Sequence, residues 1–194
     1  MSTTEDTPDI IAVLRDDHER VAELFEKVQD HARFRHRRKE LADQVVIELV
    51  RHMVAEEQHV YPIVRDAVDG RSVVDHALTA DAAAEALMRR LEPLEPTDEV
   101  FDQVFIKLMA ATRSHVADEE ARLFPCLAAA FPPAELCELG EKVRAGTSVR
   151  PTRPYPSAPT PPPGGLLVGP VLGLVDRVRD ALAPSVVRTD EGSH

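Results

Sequence analysis

An eleven-residue pattern occurs twice in this chain. Residues 52–62 read HMVAEEQHVYP and residues 115–125 read HVADEEARLFP; both fit H-x-x-x-E-E-x-x-x-[YF]-P, at an offset of 63. The same offset carries Leu24 onto Leu87, Phe25 onto Met88 and Val28 onto Leu91, and places Leu41, Val45 and Val46 on Val104, Leu108 and Met109. His18 falls on Asp81. A period this long, present only twice, is not that of a solenoid. It describes a helix pair duplicated without net insertion, and so a bundle with pseudo-two-fold symmetry.

The hydrophobic pattern agrees. Asp9 or a close neighbour opens a first helix that carries Ile10, Val13, Leu14, Val21, Leu24, Phe25 and Val28 on one face. A second is expected over 37–68, ended by Asp69-Gly70, where glycine tolerates positive φ. A third starts near Ser72 as N-cap and stops at Pro93 and Pro96. A fourth runs from Thr97 or Asp98 to about 130, and a short fifth over 134–144 ends at Gly146. No stretch alternates as a strand would. The expected fold class is all-α: an antiparallel four-helix bundle with a short fifth helix, over residues 9–145.

Proline marks where the bundle ends. Eight of the 16 prolines lie between Pro151 and Pro170, so 146–170 reads as an extended proline-rich linker. Beyond it Leu167, Val171, Leu174, Val175, Val178 and Leu182 recur at helical spacing in an amphipathic segment at about 166–183, and 171–194 closes the chain as amphipathic helix and loose C-terminus. Docking of this stripe on the parent domain is the favoured reading; a dimer contact or a membrane surface are the alternatives.

Charge and composition exclude several classes. A formal charge of −11 argues against nucleic-acid binding, which needs basic patches to displace counterions. No apolar run approaches the 18 residues or so of a membrane span. The first residues have neither the positive nor the apolar region of a signal peptide, and two cysteines, Cys126 and Cys137, make no disulfide framework. The expectation is a soluble, acidic, cytoplasmic protein, monomeric or weakly dimeric.

The repeated residues carry the chemistry. His52 and Glu56 lie four apart, as do His115 and Glu119, so each pair stands on one helix face about one turn apart. One such pair is ordinarily a His–Glu hydrogen bond. Two at matched positions on two helices are harder to explain so, because burying unpaired carboxylates costs several kcal/mol. Either the four groups pair with one another or a cation sits between them. Imidazole and carboxylate ligands suit iron, manganese or zinc better than copper(I) or calcium. Carboxylates able to bridge and imidazoles able to cap describe a dinuclear centre.

These motifs resemble those of hemerythrin-like proteins with the histidine–histidine–glutamate (HHE) cation-binding domain. The resemblance covers about residues 9–145 and rests on L-R-D-D-H at 14–18 and on the two long motifs; the tail is similar to that of bacterial members ending in a proline-rich linker and an LLGP-type apolar segment. It implies a four-helix bundle holding two non-haem iron ions, oxo- or hydroxo-bridged, with His18, His52, Glu56, His115 and Glu119 as ligands and the glutamates as bridging groups. The family usually supplies a histidine on the third helix, at the position of Asp81. Asp81 as a carboxylate ligand is the preferred reading, and His76 is its rival. An oxygen ligand there lowers the iron potential and moves the expectation from reversible oxygen carriage toward oxygen or peroxide chemistry.

Other residues are weaker candidates. His59 lies two turns along from His52 and reads as a packed neighbour, while Glu57 and Glu120 sit one step off the ligand stripe. Tyr61 has a phenol within reach of a bridging oxygen or imidazole, but its counterpart is Phe124 and core packing suffices for it. His31 and His36, among the arginines of 31–39, read as a solvated corner, and the two cysteines as buried thiols.

The resemblance implies a di-iron protein that binds or reacts with oxygen, peroxide or nitric oxide, or senses iron or oxygen. Whether it is an enzyme stays open; a weak oxidase, peroxidase or catalase-type activity is one reading. Ferritin-like iron oxidation requires Glu-x-x-His on two helices; Glu56-x-x-His59 fits once, but Arg122 occupies the second histidine position. The third class is a metal-free helical adaptor, for which His52→Ala and His115→Ala would retain function. A deletion at 150 tests whether the tail shields the site or recruits a partner: unchanged oligomer size and unchanged oxidation rate would remove it from the mechanism.

Overall fold

The computed structural model of the chain describes residues 8–67 and 70–148; the linker from 149 on and the amphipathic segment beyond it lie outside the described residues. Helices occupy Ile10–Asp30 (α1), Arg35–His59 (α2), Tyr61–Arg65 (α3), Gly70–Leu91 (α4), Phe101–Asp118 (α5), Phe124–Ala130 (α6) and Pro133–Ser148 (α7), with a π-helical turn at Glu119–Leu123 between α5 and α6. The described residues contain no strand. Short connections make α1–α2 and α4–α5 antiparallel hairpins, the two copies of the duplicated unit, and α7 packs across α1 and α2.

α1 begins where Asp9 Oδ1 accepts from the Ala12 amide at 2.8 Å, satisfying one of the otherwise unpaired first-turn donors. At the opposite end of the bundle Arg38 is buried, unlike the rest of its basic run: its guanidinium lies 5.0 Å from the centroid of Phe101 and pairs with Asp102, tying the start of α2 to that of α5.

Four boundaries differ from the sequence expectation, each for a local reason. The second helix does not run through to 68. It stops at His59, because Pro62 has no amide to continue the ladder and its ring crowds the preceding turn; α3 restarts with the proline in its first turn. Gly70 is not a left-handed helix stop but the first residue of α4, which leaves Ser72 inside the first turn. Glycine is required there by close approach, since a Cβ would lie 1.7 Å from the Val64 carbonyl oxygen. The fourth helix starts at Phe101, because Asp98 closes a turn instead, its Oδ2 accepting from the Glu95 amide at 2.7 Å. The fifth continues through Gly146 to Ser148.

The apolar side chains form two clusters rather than one. The first gathers Phe25, Leu41, Val45, Met88, Phe101, Phe105 and Leu108, with Phe25 and Phe105 edge to face at 5.5 Å. The second holds Ile10, Leu14, Val60, Val64, Leu123, Leu127 and Val143. Each fully buried aliphatic or phenyl side chain contributes about 1.5–3 kcal/mol relative to exposure. α1, α2 and α4 cross from one cluster to the other, and α5 reaches the second through the π-helical turn that follows it; between the clusters these helices present polar residues: His18 on α1, His52 and Glu56 on α2, Asp81 on α4, His115 on α5 with Glu119 just after it.

α7 caps the second cluster through Leu136 and Val143, and its Gly140 permits contact with the chain entering α1: a Cβ there would stand 2.5 Å from the Pro8 carbonyl oxygen. Gly140→Ala therefore pushes two backbone segments apart and is expected to cost about 1–3 kcal/mol, read as a lower urea midpoint with an unchanged slope.

Candidate metal centre

The layer between the clusters brings His18, His52, Glu56, Asp81, His115 and Glu119 together, none more than 6% exposed. Two groups of three each hold ligand atoms within 4.8 Å of one another: His18, His52 and Glu119; and Glu56, Asp81 and His115. Glu119, a member of the first group, also reaches His115 of the second. Its Oε2 lies 3.2 Å from His18 Nε2 and 3.7 Å from His52 Nε2, while its Oε1 lies 3.2 Å from His115 Nε2. Glu56 also reaches across, its Oε2 3.3 Å from His52 Nε2, and Asp81 Oδ1 is 3.0 Å from His115 Nε2.

Close as they are, these atoms are not aligned as hydrogen bonds. Nε2 of all three histidines, both oxygens of Glu119, Glu56 Oε1 and Asp81 Oδ1 are buried without a hydrogen-bond partner. Lone pairs that approach within 4 Å yet point past one another converge on common points, which is the arrangement a bound cation requires. Orphaned buried polar atoms are otherwise rare and costly. Three carboxylates and three imidazoles, with no thiolate, form a donor set suited to two divalent ions of the iron, manganese or zinc type. The residues present fit such a group.

Backbone geometry aims the ligands. After Glu56 the helix keeps its ordinary register for one more turn, the Val60 amide donating to the Glu56 carbonyl at 2.9 Å. After Glu119 the equivalent bond is one residue longer: the Phe124 amide donates to the Glu119 carbonyl in the π-helical turn. That extra residue absorbs Pro125 without the break that Pro62 causes in the other half.

A surrounding set of groups orients the imidazoles. Glu120 Oε1 stands 3.4 Å from His18 Nδ1, and the Phe124 ring stacks on the His18 ring at 5.7 Å with 7° between planes. Asp17 faces His52 Nδ1 at 3.9 Å and is itself held by Arg20. The Tyr61 hydroxyl donates toward Asp81 Oδ2 at 2.8 Å and Glu56 Oε2 at 3.1 Å. Outer groups of this kind fix the tautomer and rotamer of ligands. Asp17 and Thr112 were not singled out by the sequence pattern. Asp17 stands beside His18 in L-R-D-D-H, on the flank of α1 turned toward α2. Thr112 is one turn before His115, with its hydroxyl buried and unpartnered.

The remaining candidates lie outside the layer. His76 is half exposed and sits 3.2 Å from Asp118 on the rim of α4, leaving Asp81 as the residue that α4 turns into the cluster. His59 ends α2, half-buried, and belongs to neither group of three. Glu57 is half-buried, its carboxyl raised by burial and by Asp81. His31 is partly buried and His36 exposed, and Cys126 and Cys137 are both partly buried.

Comparisons with known proteins bear on the family and the fold. The family model described as the hemerythrin HHE cation binding domain matches residues 9–127, more than half of the chain. An uncharacterised hemerythrin-like protein of the fission yeast Schizosaccharomyces pombe is 24% identical over 142 residues, 72% of this chain and 70% of the relative. The crystal structure of a hemerythrin HHE cation binding domain-containing protein from Mycobacterium kansasii superposes with a TM-score of 0.65 at 21% identity, covering 72% of this chain and 85% of that one.

The electrostatics of the layer without metal have a definite sign. Burial alone would lower the His52 imidazole, but the charges of Glu56, Asp17 and Glu119 outweigh it and hold it well above its ordinary 6.5; His115 is raised by Asp81 and Glu119 against the same burial. Glu56 is pushed well up by burial and by the Glu119 charge, whereas the histidines around Glu119 overcome its burial and hold it far below the carboxylate range. The imidazole contribution to stability is complete below the unfolded value near 6.5 and is lost as pH rises through the folded values. Glu56 has the same sign; the opposite contribution of Glu119 is already complete above about 4.5. In the presence of a chelator, the melting temperature of the full chain is therefore expected to fall between pH 6 and pH 8.5; a rise would contradict these charge states.

Proposed function

This chain belongs to the hemerythrin HHE cation-binding domain family, and from that premise we propose that its buried layer holds two non-haem iron ions and reacts with oxygen, peroxide or nitric oxide. The observation that supports this most directly is the division of Glu119, one oxygen toward His18 and His52 and the other toward His115, with every facing atom unpartnered. His18 and His52 would hold one ion and His115 and Asp81 the other, with Glu119 and Glu56 shared between them. When bound, such a pair of ions supplies two-electron redox chemistry toward small oxidants.

The chain's own residues favour reaction over reversible carriage. Asp81 adds a negative charge where an imidazole would be neutral, and a more anionic donor set stabilises the more highly charged, oxidised cation. The apolar clusters on either side exclude bulk water from the layer. Beside His18, His52 and His115 lies a cavity of about 10 Å³ bordered by Val21, Leu49, Met53 and Thr112. That is room for one water-sized molecule, which favours a diatomic or peroxide-sized reactant over an organic substrate.

Elemental analysis of protein grown in iron-rich medium and purified without chelator is expected to find close to two irons per chain. His115→Ala should retain no more than one and consume peroxide at least about tenfold more slowly, the scale on which weakened metal sites lose activity. A well-folded helical chain carrying no metal would overturn the reading and leave the adaptor function in its place.

A further inference from the structure

The 63-residue offset that maps His18 onto Asp81 also maps Tyr61 onto Phe124. The structure pairs these positions crosswise: the aromatic residue that follows each glutamate meets the first ligand of the opposite hairpin. In one half Phe124 stacks on the His18 imidazole at 5.7 Å. In the other, Tyr61 donates to the Asp81 carboxylate at 2.8 Å. Both members of the pair differ together, imidazole with phenyl and carboxylate with phenol.

We propose that Tyr61 is a positioning residue matched to Asp81, its phenol engaging Oδ2 so that Oδ1 is the oxygen presented to a cation beside His115. The inference rests on the two-metal reading above. An imidazole offers one ring nitrogen to the layer, and a flat apolar face is enough to orient it; Glu120 occupies the other nitrogen of His18. A carboxylate instead has two equivalent oxygens and turns about its last bond, so an Asp in the histidine's place presents either oxygen, or both, unless one is taken. The Tyr61 hydroxyl takes one: Oδ2 is hydrogen-bonded, while Oδ1 has no partner and faces His115 Nε2 at 3.0 Å. The same hydroxyl is 3.1 Å from Glu56 Oε2, again leaving the second oxygen, Oε1, unpartnered. Tyr61 is only 4% exposed, so bulk water does not substitute for it.

The test is a coupled pair of substitutions in the full chain, with metal removed and Co2+ titrated back under argon, followed by visible absorption and calorimetry. Phe124 shows that this fold accommodates a phenyl ring after the glutamate, so Tyr61→Phe is expected to fold, checked by far-ultraviolet circular dichroism. Wild-type chain is expected to take two ions. Tyr61→Phe should bind one of them about 10–100-fold more weakly, the range for lost outer groups at metal sites, with a smaller loss at the other, which Tyr61 reaches only through Glu56. Asp81→His alone should weaken the same ion. The double variant Tyr61→Phe/Asp81→His copies the His18–Phe124 half, and its second ion should return to within a few-fold of wild type. Two ions bound by Tyr61→Phe at wild-type affinity, or a double variant showing the full sum of the single losses, would overturn the role of Tyr61 while sparing the two-metal reading. No uptake by the wild-type chain would overturn that reading, and the proposal with it.

Discussion

Six ionisable side chains buried in one plane of a helical bundle set the terms for the rest of this structure. Desolvating an ionised carboxylate costs several kcal/mol unless its charge is met, and three are present here with three imidazoles. Mutual attraction meets part of that cost, but the facing atoms are off the hydrogen-bonding axis, so the layer is arranged for something between its members. Everything around it restrains side chains that would otherwise find partners of their own: Asp17 and Glu120 at the outer imidazole nitrogens, Phe124 on one ring, Tyr61 on two carboxylates.

The two halves of the duplicated bundle solve one problem differently. Each has a proline six residues after its ligand glutamate, where an uninterrupted helix cannot continue. One half breaks and restarts; the other inserts a π-helical turn and carries on. The continuous half brings Leu123, Phe124 and Leu127 into the second apolar cluster, and the broken half brings Val60, Tyr61 and Val64 to the same cluster. Pseudo-symmetry thus holds for the packing and fails for the backbone that delivers it.

Much of this was legible in the chain. Helical period placed the buried faces of α1, α2, α4 and α5, and the repeated motif singled out the residues that converge, because a His and a Glu one turn apart on a buried stripe share a direction whatever the tertiary context. Boundaries were less legible where two local preferences compete. Pro62 and Pro125 hold matching positions in the repeated motif, each after an aromatic residue, and yet yield a break and a π-turn. Gly70 read as a left-handed stop because glycine serves both conformation and close approach, and only the Val64 carbonyl distinguishes them. Asp17 lies at helical spacing between Leu14 and Val21, but a lone acidic residue there names no partner, since its role depends on the distance between two helices. Asp81 stood out as a mismatch in the repeat, and the contact with Tyr61 that gives the mismatch a chemical sense required three dimensions.

Division of the core into two apolar clusters also bears on how the molecule unfolds. Cooperative unfolding of a small domain relies on continuous packing, so that loosening one region exposes the next. Here the two regions communicate through the helix backbones and a layer whose own groups are poorly satisfied. The layer is a natural seam between the end containing α3, α6 and α7 and the end containing Phe25, Phe101 and Phe105, and a ligand bound between them would tie the two into one cooperative unit. Hydrogen exchange in such a fold is governed by occupancy of the seam as much as by the size of either core.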